Sequence, residues 1–142
     1  MKFDLLTLPQ TVTRFYNRRF EPLLERHGLT RMEMDLLLFL ANNPEYDTAA
    51  QAVSVRHLSK SQVSTSVDAL VRRGFLERRP DGADRRTVHL AVLPAAAGAV
   101  AEGQGTQQAV VDALLTGVVA QDRRAFGRVL NAMLRNVKES EA

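Results

Sequence analysis

Apolar side chains recur at Leu8, Val12, Phe15, Tyr16, Phe20, Leu23 and Leu24, the three-and-four spacing of one helix face. Pro9 suits the first turn of that helix, and Pro22 is expected to kink it or end it early. A second helix is predicted from Thr30 to Ala41 or Asn42. Thr30 and Glu33 form a capping box at its start, each side chain serving the other residue's free N–H, and the residue before Pro44 stops it. Thr48 with Gln51 opens a short third helix that ends near Val53 or Ser54. Ser59 with Gln62 opens a fourth, which ends at Gly74, a residue suited to a left-handed cap. The period then changes from helical to two. FLERR and TVHLAVL read as the strands of a hairpin with a tight tip at Pro80, Asp81 and Gly82. Val88, Leu90 and Val92 are expected to face inward, and Thr87, His89 and Ala91 outward. After Pro94 the helical period returns. One stripe holds Val110, Val111, Leu114, Leu115, Val118 and Val119, a second holds Phe126, Val129, Leu130, Met133, Leu134 and Val137, and Gly117 marks the break. The small-residue run PAAAGAVAEGQG weakens the helix before them through its glycines. The predicted order is α-α-α-α-β-β-α-α, a mostly α (α+β) chain.

The fourth helix has two unlike faces. Val63, Val67, Leu70 and Val71 share the inner one. Ser61, Thr65, Asp68 and Arg72 lie opposite, flanked by Gln62 and Ser64. Short hydroxyl and amide side chains both donate and accept, which is what base edges in a major groove require. Ser59 and Lys60 sit where the helix start offers free N–H groups and a positive dipole to a phosphate. Residues 47–53, the turn SVRH and the fourth helix form a helix-turn-helix, although the turn lacks the glycine often found there.

Charge sharpens this picture. The net charge is only +3, but residues 72–89 hold six arginines against three acids, a surplus equal to that of the whole chain. Arg78, Arg79, Arg85 and Arg86 are expected near the hairpin tip, where guanidiniums reach a narrow minor groove. A major-groove helix beside an arginine hairpin is a winged helix. Asp84 is expected to pair with one of these arginines and orient it. Asp68 either pairs with Arg72 or meets a cytosine amino group.

The 142 residues suit one domain, or a compact core with helical extensions, and 45% apolar content provides that core. With no cysteine, neither a disulfide nor a thiolate metal site can form. His27, His57 and His89 fall in different elements, so no metal site and no cofactor is expected; His27 reads as a helix C-terminal residue facing the dipole. The N-terminus lacks the apolar run of a signal peptide and nothing approaches a membrane span, so a cytoplasmic protein is expected. A hydrolase built from His57 with Ser59, Ser61 or Ser64 lacks a Gly-rich oxyanion loop, and capping already accounts for Ser59; no enzyme is expected.

The stretch LSKSQVSTSVDALVRRGFLERRPDGADRRTVHLAVL resembles the core of the MarR family, the multiple antibiotic resistance regulators. The residues carrying the likeness are Ser59, Ser61, Val63, Ser64, Val67, Leu70, Gly74, Phe75, Leu76, Arg78, Asp84 and Arg86. The run Val92, Leu93, Pro94, Ala95 and Ala96 departs from the family's L-T-x-x-G. The resemblance implies a winged helix-turn-helix lobe over 30–93, with 1–28 and 94–142 forming a helical dimerisation region. It implies a homodimeric repressor on double-stranded DNA with an approximate inverted repeat, released by a small aromatic or amphipathic effector. Arg14, Tyr16 and Arg18 are the candidate effector-pocket residues, although Tyr16 is better suited to the core or an interface. The alternative reading is a winged-helix protein-interaction module that does not bind DNA.

Overall fold

The computed structural model describes residues 4–142. Six α-helices and one hairpin follow in the predicted order: α1 Thr7–His27, α2 Arg31–Asn42, α3 Ala49–Arg56, α4 Lys60–Arg72, β1 Leu76–Pro80, β2 Val88–Val92, α5 Ala97–Leu114 and α6 Ala120–Glu141. A short 3-10 turn, Pro94–Ala96, leads into α5, with the proline in its first turn. The chain divides into two compact units, Met1–Gln108 and Ala109–Ala142, so α1 and the first part of α5 group with the helix-turn-helix.

Helix starts follow the capping chemistry. Thr30 and Ser59 accept hydrogen bonds from the N–H groups of Glu33 and Gln62, and at α3 Thr48 and Gln51 complete the reciprocal box. Gly74, at φ +73°, ends α4 and lets the Phe75 N–H donate to the Leu70 carbonyl at 2.9 Å. Of the kink or early end expected at Pro22, the early end does not occur: α1 runs through it to a left-handed cap at Gly28. An interior proline costs about 3 kcal/mol. Here it is exposed on the solvent side, while Phe20 and Leu23 beside it are buried in the core and hold the helix down. Burying two such side chains offsets that cost, at about 1.5–3 kcal/mol each.

The core centres on α2. Leu36, Leu37, Leu38, Phe39 and Leu40 are buried in succession, which a helix achieves only when neighbours cover every side. Val63, Val67 and Leu70 of α4, Ala52 of α3, and Leu76 and Leu90 of the hairpin join the same cluster. One small residue of α5 has a packing reason: a Cβ at Gly103 would lie 2.9 Å from Leu38 Cδ2 and 3.1 Å from Met34 Sδ. The missing side chain lets the backbone at Gly103 approach Leu38 and Met34 of α2.

Candidate nucleic-acid interface

α3 and α4 meet through a turn whose left-handed position is taken by His57, at φ +53°. This is the place where a glycine was missed in the sequence. Histidine is among the residues that tolerate such a backbone. Both the His57 and Leu58 N–H groups donate to the Val53 carbonyl and close the turn. α4 then buries Val63, Val67 and Leu70, together with Ser66, and leaves Lys60, Ser61, Gln62, Ser64, Thr65 and Arg72 exposed. Ser59 is exposed but occupied: its Oγ accepts the Gln62 N–H at 3.4 Å and lies 3.1 Å from Ser61 Oγ. Ser61, Gln62 and Thr65 open onto a shallow groove whose other wall is Thr30, Arg31 and Met32 at the start of α2. Arg31 was not singled out from the sequence. Its Nε donates to Asp35 at 3.2 Å while its guanidinium lies over Tyr16, so it is a fixed part of that wall.

The hairpin is antiparallel, with Leu76 opposite Val92, Arg78 opposite Leu90 and Pro80 opposite Val88. Pro80 is therefore a strand residue, and the tip is the longer loop 81–87, which corrects the tight turn expected at Pro80–Gly82. Asp84 organises this loop. One carboxylate oxygen accepts the Arg86 N–H at 2.9 Å and the other accepts the Thr87 hydroxyl at 3.0 Å. It thus shapes the backbone that carries the arginines, in place of the expected pairing with a guanidinium. The four wing arginines separate into two pairs. Arg78 and Arg79 lie on β1, where Arg78 pairs with Asp68 of α4 and Arg79 pairs with Glu77 at 3.0 Å. Arg85 and Arg86 lie exposed in the loop, and among the described residues no ion pair engages either. Asp68 thus pairs with Arg78 in place of the expected Arg72. Two residues ten apart, one on a helix and one on a strand, leave no periodic trace in a sequence.

Val88 also departs from expectation. It is exposed, because it lines a cleft of about 480 Å3 between α3, α4 and the hairpin. Ala49, Ala50, Val53, Val63, Val67 and Leu90 make the apolar walls, and Lys60, Ser64 and Arg78 supply the polar atoms. The expected effector group is not assembled. Arg14 and Arg18 lie on an open groove along one face of α1. Tyr16 is on another face, half-buried, 4.6 Å from the Phe20 ring and accepting a hydrogen bond from Gln107 at 3.1 Å. Burial pushes its hydroxyl pKa up. Residues three or four apart share a helix face, whereas residues two apart do not.

Residues 27–87 match the sequence profile of the MarR family. No curated protein matches the chain. Among solved structures, a MarR-family transcriptional regulator from Silicibacter pomeroyi is similar at 24% identity, with a TM-score of 0.78 over 92% of this chain and 87% of that one. A MarR transcriptional regulator from Methanosarcina mazei Go1 shares 16% identity at a TM-score of 0.76, covering 92% and 93% of the two chains. A complex of S. aureus MepR with DNA shares 15% identity at a TM-score of 0.76, covering 95% and 99%. Residues 27–87 thus share the sequence pattern of the MarR family, and the chain has the fold of these solved regulators.

Proposed function

We propose that this chain is a sequence-specific regulator of transcription that binds double-stranded DNA, a homodimeric repressor released by a small effector. One observation carries the reading. An exposed helix face of Ser61, Gln62, Ser64 and Thr65 is tied through Asp68 and Arg78 to a hairpin whose loop presents Arg85 and Arg86, which no ion pair among the described residues engages. In this reading α4 lies in the major groove and its hydroxyl and amide groups meet base edges. Lys60, Arg72 and the start of α4 face phosphates. Arg85 and Arg86 enter the adjoining minor groove. The solved complex of MepR with DNA, which shares the fold, supports it. The role is one of binding, without catalysis, and its place is the cytoplasm; among the described residues no helix is long and apolar enough to cross a membrane.

The dimer rests on α6. None of its residues is buried, yet Phe126, Val129, Leu130, Met133, Leu134 and Val137 form one exposed apolar stripe. A second copy would cover that stripe by two-fold symmetry, and the operator would then be an approximate inverted repeat with half-sites about one helical turn apart. For the effector, the α3–α4–hairpin cleft is a better site than the α1 residues. Its size suits a small molecule. Its apolar walls and the cations of Lys60 and Arg78 suit an amphipathic anion, which would contact the Arg78 that grips the recognition helix.

A mobility-shift titration on the DNA flanking the coding sequence tests the reading. The wild-type chain is expected to retard a fragment, and Arg86→Ala to weaken that binding by about 1–3 kcal/mol. Failure to retard any fragment, even in dilute buffer, would favour the protein-interaction module.

A further inference from the structure

The wing is fastened to the start of α3 through a titratable side chain. Asp47 is the last residue before the Thr48 cap. Its own N–H donates to Gln51 Oε1 at 2.9 Å, which fixes it to the first turn of α3. Its carbonyl accepts the Leu90 N–H of β2 at 2.6 Å. Its carboxylate oxygen Oδ1 lies 2.8 Å from His89 Nδ1. On the other side of the same ring, His89 Nε2 lies 3.8 Å from an oxygen of Asp81, the first residue of the loop that carries Arg85 and Arg86. The imidazole therefore stands between a carboxylate of the α3 start and a carboxylate of the wing loop. A neutral imidazole carries one N–H and can donate on one side only. An imidazolium donates from both nitrogens and places its charge between two anions.

We propose that His89 is a positioning residue for DNA binding, which as the imidazolium bridges Asp47 and Asp81, holds the wing loop against α3, and releases Asp81 on losing its proton. The inference rests on the DNA-binding reading above. The groups facing the ring are Asp47 from the α2–α3 connection, Asp81 from the wing loop, and Arg79 of β1, its cross-strand partner, whose guanidinium is paired with Glu77 at 3.0 Å. The hydrogen bond that the ring donates to Asp47 is the largest influence and raises the His89 pKa above its ordinary 6.5. Partial burial opposes it, and the charges of Asp47 and Asp81 add to it. A raised value in the folded state sets the direction of the pH effect. The bridge is fully made below pH 6.5 and is lost as pH rises through the higher folded-state value. The Leu90–Asp47 backbone bond does not titrate, so the wing loosens without detaching.

Two measurements on the full chain decide the matter. In the first, the His89 ring resonances, identified by their absence in His89→Gln, are followed by NMR against pH. They are expected to titrate above 6.5 and to fall toward it in Asp47→Asn, and less so in Asp81→Asn. In the second, fluorescence anisotropy reads affinity for a labelled mixed-sequence duplex at constant ionic strength, from below pH 6.5 to well above it. Affinity is expected to fall roughly two- to five-fold across the His89 titration, the scale of an exposed ion pair. His89→Gln should lose that component, leaving only what the remaining groups contribute. Titration of His89 at or below its ordinary value overturns the bridge. An identical pH dependence in His89→Gln overturns the positioning role. Absence of duplex binding at every pH removes both the DNA reading and that role, whereas the NMR result still reports whether the ring joins the two carboxylates.

Discussion

Helices α4 and α6 carry the same kind of pattern and meet opposite fates. Each sets an apolar stripe against a polar face at helical spacing. The stripe of α4 disappears into its own unit, with Val63 1% and Leu70 0% exposed. The stripe of α6 stays open, with Leu134 61% and Val129 55% exposed. Amphipathicity therefore says that a face will be covered, but not by which chain. On α4 the cover is intramolecular, which leaves the polar face free to address a ligand. On α6 the apolar face itself remains to be used.

Substitutions on the two stripes should separate these fates. Leu70→Ala removes a fully buried side chain and is expected to lower folding stability by about 2–5 kcal/mol in urea denaturation. A slope unchanged from wild type would show that the fold itself survives. Gly103→Val probes the same core from α5. With a Cβ forced to 2.9 Å from Leu38, overpacking should cost about 1–3 kcal/mol. Gly105→Ala, with nothing within 4 Å of the added carbon, should instead stabilise the helix by up to about 1 kcal/mol. The smallest effect on dilute protein is expected from Leu130→Asp with Leu134→Asp on α6, within about 0.5 kcal/mol. The same pair should abolish the dimer in analytical ultracentrifugation and remove the concentration dependence of Tm. A large loss of stability in dilute protein, with the sedimentation unchanged, would mean that the α6 stripe is covered within one chain.

Much of this was legible in the sequence. Element order followed from period changes and from hydroxyl residues three positions ahead of Glu or Gln, because capping is local chemistry. The exposed face of α4 followed from spacing alone. What stayed hidden depends on partners distant along the chain. Pro22 does not end α1, because the burial of Phe20 and Leu23 outweighs a local rule. Gly103 of α5 reads as a helix-weakening residue in the sequence because the leucine and methionine it accommodates lie on α2. Arg78 and Arg79 counted as tip cations until strand register placed them on β1 beside Asp68 and Glu77. Tyr16 and the two arginines near it were grouped by sequence proximity, which a helix disperses around its axis.

The salt dependence of duplex binding reports directly on the contrast between the free and the paired arginines. Neutralising phosphates releases counterions, so log affinity should fall linearly with log salt for the wild-type chain. Replacing both Arg85 and Arg86 with alanine should reduce that slope by about 2. The same slope and the same affinity in the double variant, or no binding in dilute buffer, would contradict the placement of the wing loop on DNA.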